Sequence, residues 1–166
     1  MKINHHQKEI FRILNYQFKC NRLLEEALTH SSARKSSKAN NERLEFLGDR
    51  VLGLIIAEEL LRLNPNSTEG QIATYYNYLV KKETCALIAK EIGLENLLTL
   101  GKSVKRTSNR QKDKILGNAV EALIAAIFLD SGFKTSKEIV LRVWRKQIDI
   151  VRDIEAHAKT ALQELL

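Results

Sequence analysis

Asn41-Glu-Arg-Leu-Glu-Phe-Leu-Gly-Asp49 opens a stretch in which Leu44, Leu47, Val51, Leu54 and Ile55 recur at three- and four-residue steps. That period is helical, and it predicts a helix from Glu42 to Leu61 with Asn40 or Asn41 as N-cap. Glu45 and Asp49 are four apart and share a face, with Glu42 one turn back pointing broadly the same way. Two carboxylates ~5 Å apart repel by about 3 kcal/mol at an effective dielectric near 20. Leu44, Phe46, Leu47 and Val51 surround them, and Gly48 removes a side chain from the same turn, so a second helix can approach closely.

A second segment repeats the arrangement. Asn118 and Glu121 are three apart, while Leu116, Val120, Leu123, Ile124 and Ile127 form an apolar stripe and Ala122, Ala125 and Ala126 keep the helix thin. This helix is predicted from about Asp113 to Asp130, stopping at Ser131-Gly132. If the two helices pack face to face, Glu45, Asp49, Asn118 and Glu121 converge. Hard oxygen donors of this kind suit Mg²⁺, with Mn²⁺ able to substitute, and such a cation polarises a phosphoryl group and generates hydroxide near neutral pH.

The rest of the chain is helical in pattern. Pro65, in Asn64-Pro-Asn-Ser67, closes the first helix, and Thr68-Glu-Gly-Gln71 reads as a capping box for a helix through Tyr75, Leu79 and Leu87. Thr135-Ser-Lys-Glu138 reads as another capping box, for a helix through Val140, Val143 and Trp144. No convincing period-two segment occurs, so the expected class is all-α.

Composition narrows the function. The 166 residues, 44% hydrophobic and 28% charged, suit one globular domain. The N-terminal residues are polar, and the longest apolar run, Ala122–Leu129, is far shorter than the roughly 20 residues of a membrane span. Cys20 and Cys85 are distant, fitting two reduced thiols and a cytoplasmic location. The four histidines lack zinc spacing, and there is no P-loop, G-x-S-x-G or G-x-G-x-x-G. The net charge is +7, and Lys102, Lys105, Arg106, Arg110, Lys112 and Lys114 crowd one stretch against the single acid Asp113. A basic arm feeding into the helix of Glu121 suggests contacts to phosphates; its bland alternative is a solvated loop.

The nine residues Asn41–Asp49 resemble the signature of the bacterial ribonuclease III family. Ala27-Leu-Thr-His30 and the segment from Lys114 to Gly132 resemble two further motifs of it, in the correct order, so the resemblance covers most of residues 8–150. It implies an all-α endonuclease-domain fold over residues 1–152 that forms a homodimer and cuts double-stranded RNA in processing rRNA and mRNA precursors. Each subunit would cleave one strand, leaving 5′-phosphate and 3′-hydroxyl ends with a short 3′ overhang. By motif position Glu45 would be a metal ligand, Asp49 a catalytic acid beside metal and water, and Glu121 both ligand and catalytic residue. Phe46 would be a knob entering the partner subunit, where the pattern alone reads it as core. Glu42 and Glu69 would be accessory acids.

Three departures from the family pattern bear on function. Asn118 stands where the family has Asp, which lowers the set from four carboxylates to three and predicts weaker Mg²⁺ affinity and slower cleavage. The segment Ser103–Arg110 is more basic than the usual Gly-rich stretch. His157–Glu164 resembles the opening of a double-stranded-RNA-binding domain, so residues 153–166 read as a linker and the first residues of that domain, and grip on RNA is expected to be weak and salt-sensitive. Two alternatives remain: a catalytically silent double-stranded-RNA binder of the same fold, and a helical interaction module with solvated acids.

Overall fold

The computed structural model describes residues 5–33, 40–102, 104 and 107–164. The described residues form, in order, the helices α1 (His5–Leu14), α2 (Asn21–Ala27), α3 (Glu42–Leu63), α4 (Glu69–Val80), α5 (Lys82–Glu91), α6 (Asn109–Val143, kinked at Gly132) and α7 (Arg145–Glu164), with short 3₁₀ turns at Ser31–Ala33 and Leu94–Leu97. Among the described residues the β-structure is one isolated bridge between Thr29 and Thr99. The expected all-α class holds.

Helices α3 and α6 form the central pair, and α5 packs on α6 beside them. Of the stripe predicted on α3, Leu44, Val51 and Ile55 are buried and Leu47 partly so, while Leu54 is exposed; Leu52, Ile56 and Leu60 are buried beside them. On α6 nearly every residue from Ile115 to Ile127 is buried, Asn118 being the partial exception. Part of α6 is apolar enough, by length and composition, to cross a membrane, yet 67% of that part is buried inside the fold. It serves as the core helix.

Gly48 explains how α3 and α6 come so close: a Cβ there would fall on the Glu121 backbone carbonyl. Gly117 does the same on the other side of α6, where a Cβ would meet the Lys82 carbonyl oxygen at 3.0 Å. The first turn of α5 is thereby drawn against α6, one turn before Glu121.

The helix boundaries depart from the sequence expectation at Lys81, at the start of α6 and at Thr135–Glu138. The helix expected through Tyr75, Leu79 and Leu87 is two helices, broken at Lys81, whose extended φ/ψ of −62°/153° turns the chain. Helix α6 starts at Asn109 rather than Asp113, because the Ser108 side chain accepts from the Gln111 N–H. Gly132, at φ 81° and ψ −179°, breaks α6 where the sequence expectation puts its stop, and a second helical segment follows across the kink; Thr135–Glu138 lies inside that segment and is not an N-terminal capping box. Asn41 holds the N-cap position of α3 without a side-chain bond, while Asn40 Oδ1 accepts from the Glu42 N–H at 3.1 Å. The capping box of Thr68 and Gln71 forms as expected. Beyond residue 152 the backbone continues as α7 to Glu164.

Candidate active site

Glu45 is one turn into α3, and Glu121 lies on the face of α6 that Gly48 admits. Glu121 is 1% exposed, and an ionised carboxylate so deeply buried costs several kcal/mol unless a counter-charge meets it. The counter-charge is Lys82, the first residue of α5. Its Nζ lies 2.5 Å from Glu121 Oε2 and 3.2 Å from Glu45 Oε1, tying α3, α5 and α6 together at one point.

Lys82 satisfies only half of Glu121. The other oxygen, Oε1, is buried without a hydrogen-bond partner, and so is Oδ1 of Asn118, one turn earlier on α6. Burial pushes the Glu121 carboxyl up to about 7; the Lys82 hydrogen bond and charge oppose that, and the charges of Asp49 and Glu45 reinforce it. Burial, then the Glu121 charge, pushes the neighbouring Cys85 thiol up to about 12. The Tyr76 hydroxyl is likewise raised, by burial and then by Asp49.

Asp49 sits at the solvent edge, its side chain 47% exposed and paired with Arg50 at 2.6 Å. Among the described residues no three His, Cys, Asp or Glu side chains gather tightly enough to hold a metal ion by themselves. Two features account for this: the Asp49 carboxylate pairs with Arg50 at the solvent edge, and the Lys82 ammonium lies between Glu45 and Glu121. The donor set nevertheless fits a hard divalent cation, since it is all oxygen and two of its buried atoms, Asn118 Oδ1 and Glu121 Oε1, have no partner.

A Ribonuclease-III-like family model matches residues 21–148, a span that includes α3, α5 and the whole of this cluster. The chain belongs to the ribonuclease III family. It is 50% identical over 151 residues to ribonuclease 3 of Dinoroseobacter shibae, covering 91% of this chain and 66% of that protein. With ribonuclease 3 of Ruegeria pomeroyi it shares 45% identity over 164 residues, 99% of this chain and 73% of the relative. The chain thus spans about two thirds of the length of these relatives. The nuclease domain of ribonuclease III from Campylobacter jejuni has the same fold: TM-score 0.76, 36% identity, 86% of this chain and 96% of that one. A second structure of that domain, also at TM-score 0.76, concerns flexibility in a region involved in its dimer formation.

The other residues singled out from the ribonuclease III resemblance are more dispersed. Glu42 is exposed in the first turn of α3 and accepts from the Asn40 amide at 3.4 Å; its charge reaches His30, as does that of Glu45. Glu69 is exposed in the first turn of α4, and none of the described contacts links it to the cluster. Phe46 is not core: it is 64% exposed, with the Arg50 guanidinium 4.0 Å above its ring. It borders a surface cavity of about 710 Å³ lined also by Leu23, Leu47 and Leu129. Lys102, Arg110 and Lys112 are exposed, whereas Lys105 and Arg106 lie outside the described residues.

Lys82 was not singled out by the sequence reading. Nothing in the sequence marks it, because the helix start at Lys82 depends on the break at Lys81, which neither glycine nor proline signals.

Proposed function

We propose that the chain is the nuclease portion of a divalent-cation-dependent endoribonuclease that cleaves double-stranded RNA as a homodimer, in the cytoplasm. The observation that carries the reading is the pair of buried, unpartnered oxygens, Asn118 Oδ1 and Glu121 Oε1, beside Glu45. Glu45, Asp49, Asn118 and Glu121 would hold Mg²⁺ or Mn²⁺. The cation would supply Lewis acidity toward a phosphoryl oxygen and a water made acidic near neutral pH.

The chain's own residues do the rest. Glu121, whose carboxyl burial pushes up to about 7, needs a facing positive charge to be held as the carboxylate that serves as ligand and catalytic residue, and Oε1 is its free ligand atom. Asp49, at the solvent edge, is accessible to an incoming water and accepts its proton. Exposed Lys102, Arg110 and Lys112 precede the site along the chain and neutralise phosphates of the duplex without reading its sequence. Phe46, exposed on α3, is the surface through which a second copy is engaged, and Glu42 and Glu69, exposed in the first turns of α3 and α4, are accessory acids.

Asn118 favours one competing reading, a protein of this fold that holds duplex RNA without cutting it. Cleavage of a long duplex RNA in Mg²⁺ by this protein and by Asn118→Asp separates the two. An impaired enzyme cuts slowly, and the Asp variant cuts at least about tenfold faster, which corresponds to about 1.4 kcal/mol of barrier. If both bind duplex and neither cuts it, the silent-binder reading holds instead.

A further inference from the structure

Lys82 occupies the place where the cation would be needed. Its ammonium lies between Glu45 Oε1 and Glu121 Oε2, at 3.2 and 2.5 Å, while Glu121 Oε1 and Asn118 Oδ1 are left without hydrogen-bond partners. The residue is not there for the helix, because a lysine at the first position of α5 opposes the helix dipole. Nor is its head group locked in: the side chain is 41% exposed and borders a groove of about 720 Å³ that also contains Glu83, Asp113, Arg110 and Lys114. The groove gives the ammonium somewhere to go, toward Glu83; its other acid, Asp113, is already paired with Lys90 at 2.6 Å.

Resting on the proposed divalent-cation site, we propose that Lys82 is an internal counter-ion that stands in for the metal, and that Mg²⁺ or Mn²⁺ enters by displacing its ammonium into this groove. The buried Glu121 then always faces a positive charge, either the lysine or the divalent ion, and never costs the fold an unpaired buried carboxylate. Lys82 thereby sets the affinity threshold for the cation. Asn118 works in the same direction, since it keeps the negative charge of the cluster low enough for one ammonium to hold α3 and α6 together. The exchange breaks two charge-assisted hydrogen bonds at Nζ and forms oxygen–cation contacts in their place. It requires no co-reactant.

The test is Mn²⁺ binding, followed by electron paramagnetic resonance of free Mn²⁺, for the wild type, Lys82→Met and Lys82→Arg. Lys82→Met should bind Mn²⁺ about tenfold more tightly than the wild type and melt at a lower temperature without metal, the deficit being recovered on adding Mn²⁺. Lys82→Arg, which keeps the charge, should stay near the wild type in both. Unchanged or weaker Mn²⁺ binding by Lys82→Met overturns the exchange while leaving the metal site standing. Absence of saturable binding in all three proteins overturns both. Should Lys82→Met not fold, the ¹⁵N resonance of the Lys82 ammonium, identified by its loss in Lys82→Arg, gives the answer in the wild type. It should lose its hydrogen-bonded signature as Mg²⁺ is added, and a signal unaltered at Mg²⁺ concentrations that raise the melting temperature rejects the idea.

Discussion

The backbone carbonyl of Glu121 lies where the Cβ of residue 48 would be if that residue were anything but glycine. The backbones of α3 and α6 meet there, and the carboxylates of Glu45 and Glu121 reach the same ammonium only because of this approach. A catalytic constellation spread over two helices needs the helices fixed to a fraction of an ångström, and backbone-to-backbone contact supplies that rigidity better than interlocked flexible side chains.

Gly48→Ala should therefore be among the most damaging single-methyl changes available. The colliding atoms belong to the backbone of α6 and cannot rotate away, so a loss of about 3 kcal/mol or more is expected from urea unfolding. Gly70→Ala is the matched control. A Cβ there meets nothing within 4 Å and the position is helical, so its effect should be under about 1 kcal/mol and stabilising. Equal effects of the two substitutions would show that the contact between α3 and α6 does not govern stability.

How much of this was legible in the sequence follows from what each feature depends on. The stripes of α3 and α6 were readable because burial on one face imposes a period, and Gly48 stood out as a gap in an otherwise bulky turn. Ser108-Asn-Arg-Gln111 was a readable helix start that went unread. The corner at Lys81 was not readable, since neither glycine nor proline marks it; packing of α5 onto Gly117 makes the break. Lys82 was missed with it. Leu54 and Phe46 satisfy a helical apolar pattern yet are 60% and 64% exposed, because periodicity says which residues avoid water and not which molecule covers them.

Asp130 and Tyr16 give the fold a measurable pH response away from the candidate site. The Asp130 carboxylate accepts from the Tyr16 hydroxyl at 2.5 Å and from the Lys19 and Cys20 N–H groups at 2.9 Å, joining α6 to the start of α2. Burial and then the Asp130 bond push the Tyr16 hydroxyl up to about 12. A raised acid favours its neutral form in the fold, so the contribution of Tyr16 is fully present below the unfolded value near 10 and lost as pH rises toward 12. For Asp130, burial raises the carboxyl, but the three donors hold it below the usual range, so its contribution is present above that range and lost as pH falls through the lowered value. Urea midpoints measured from pH 9 to 12 should fall more steeply for the wild type than for Tyr16→Phe. Parallel curves would show that this hydroxyl does not couple to folding.

Phe46 should matter to association far more than to the stability of the single chain. Its ring is mostly exposed and touches the exposed head of Arg50, so Phe46→Ala removes little from the chain's own core. Sedimentation of the wild type should give a dimer, and of Phe46→Ala a species shifted strongly toward monomer, with far-ultraviolet circular dichroism unchanged. A variant that remains as dimeric as the wild type would move the interface elsewhere on the surface.

The basic residues that lead into α6 should act through charge number rather than through base contacts. Lys102, Arg110 and Lys112 are exposed, and Arg110 borders the same groove as Lys82, so a duplex lying across the site would pass over them. Each phosphate neutralised contributes about one to the slope of log affinity against log salt concentration. Replacing Arg110 and Lys112 together by Ala should lower that slope by about two and weaken binding to duplexes of unrelated sequence by the same factor. Fluorescence anisotropy with two unrelated duplexes, measured over a series of salt concentrations, checks both parts. A slope that does not change would mean that the duplex does not cross this helix end, and that the excess positive charge serves another face of the molecule.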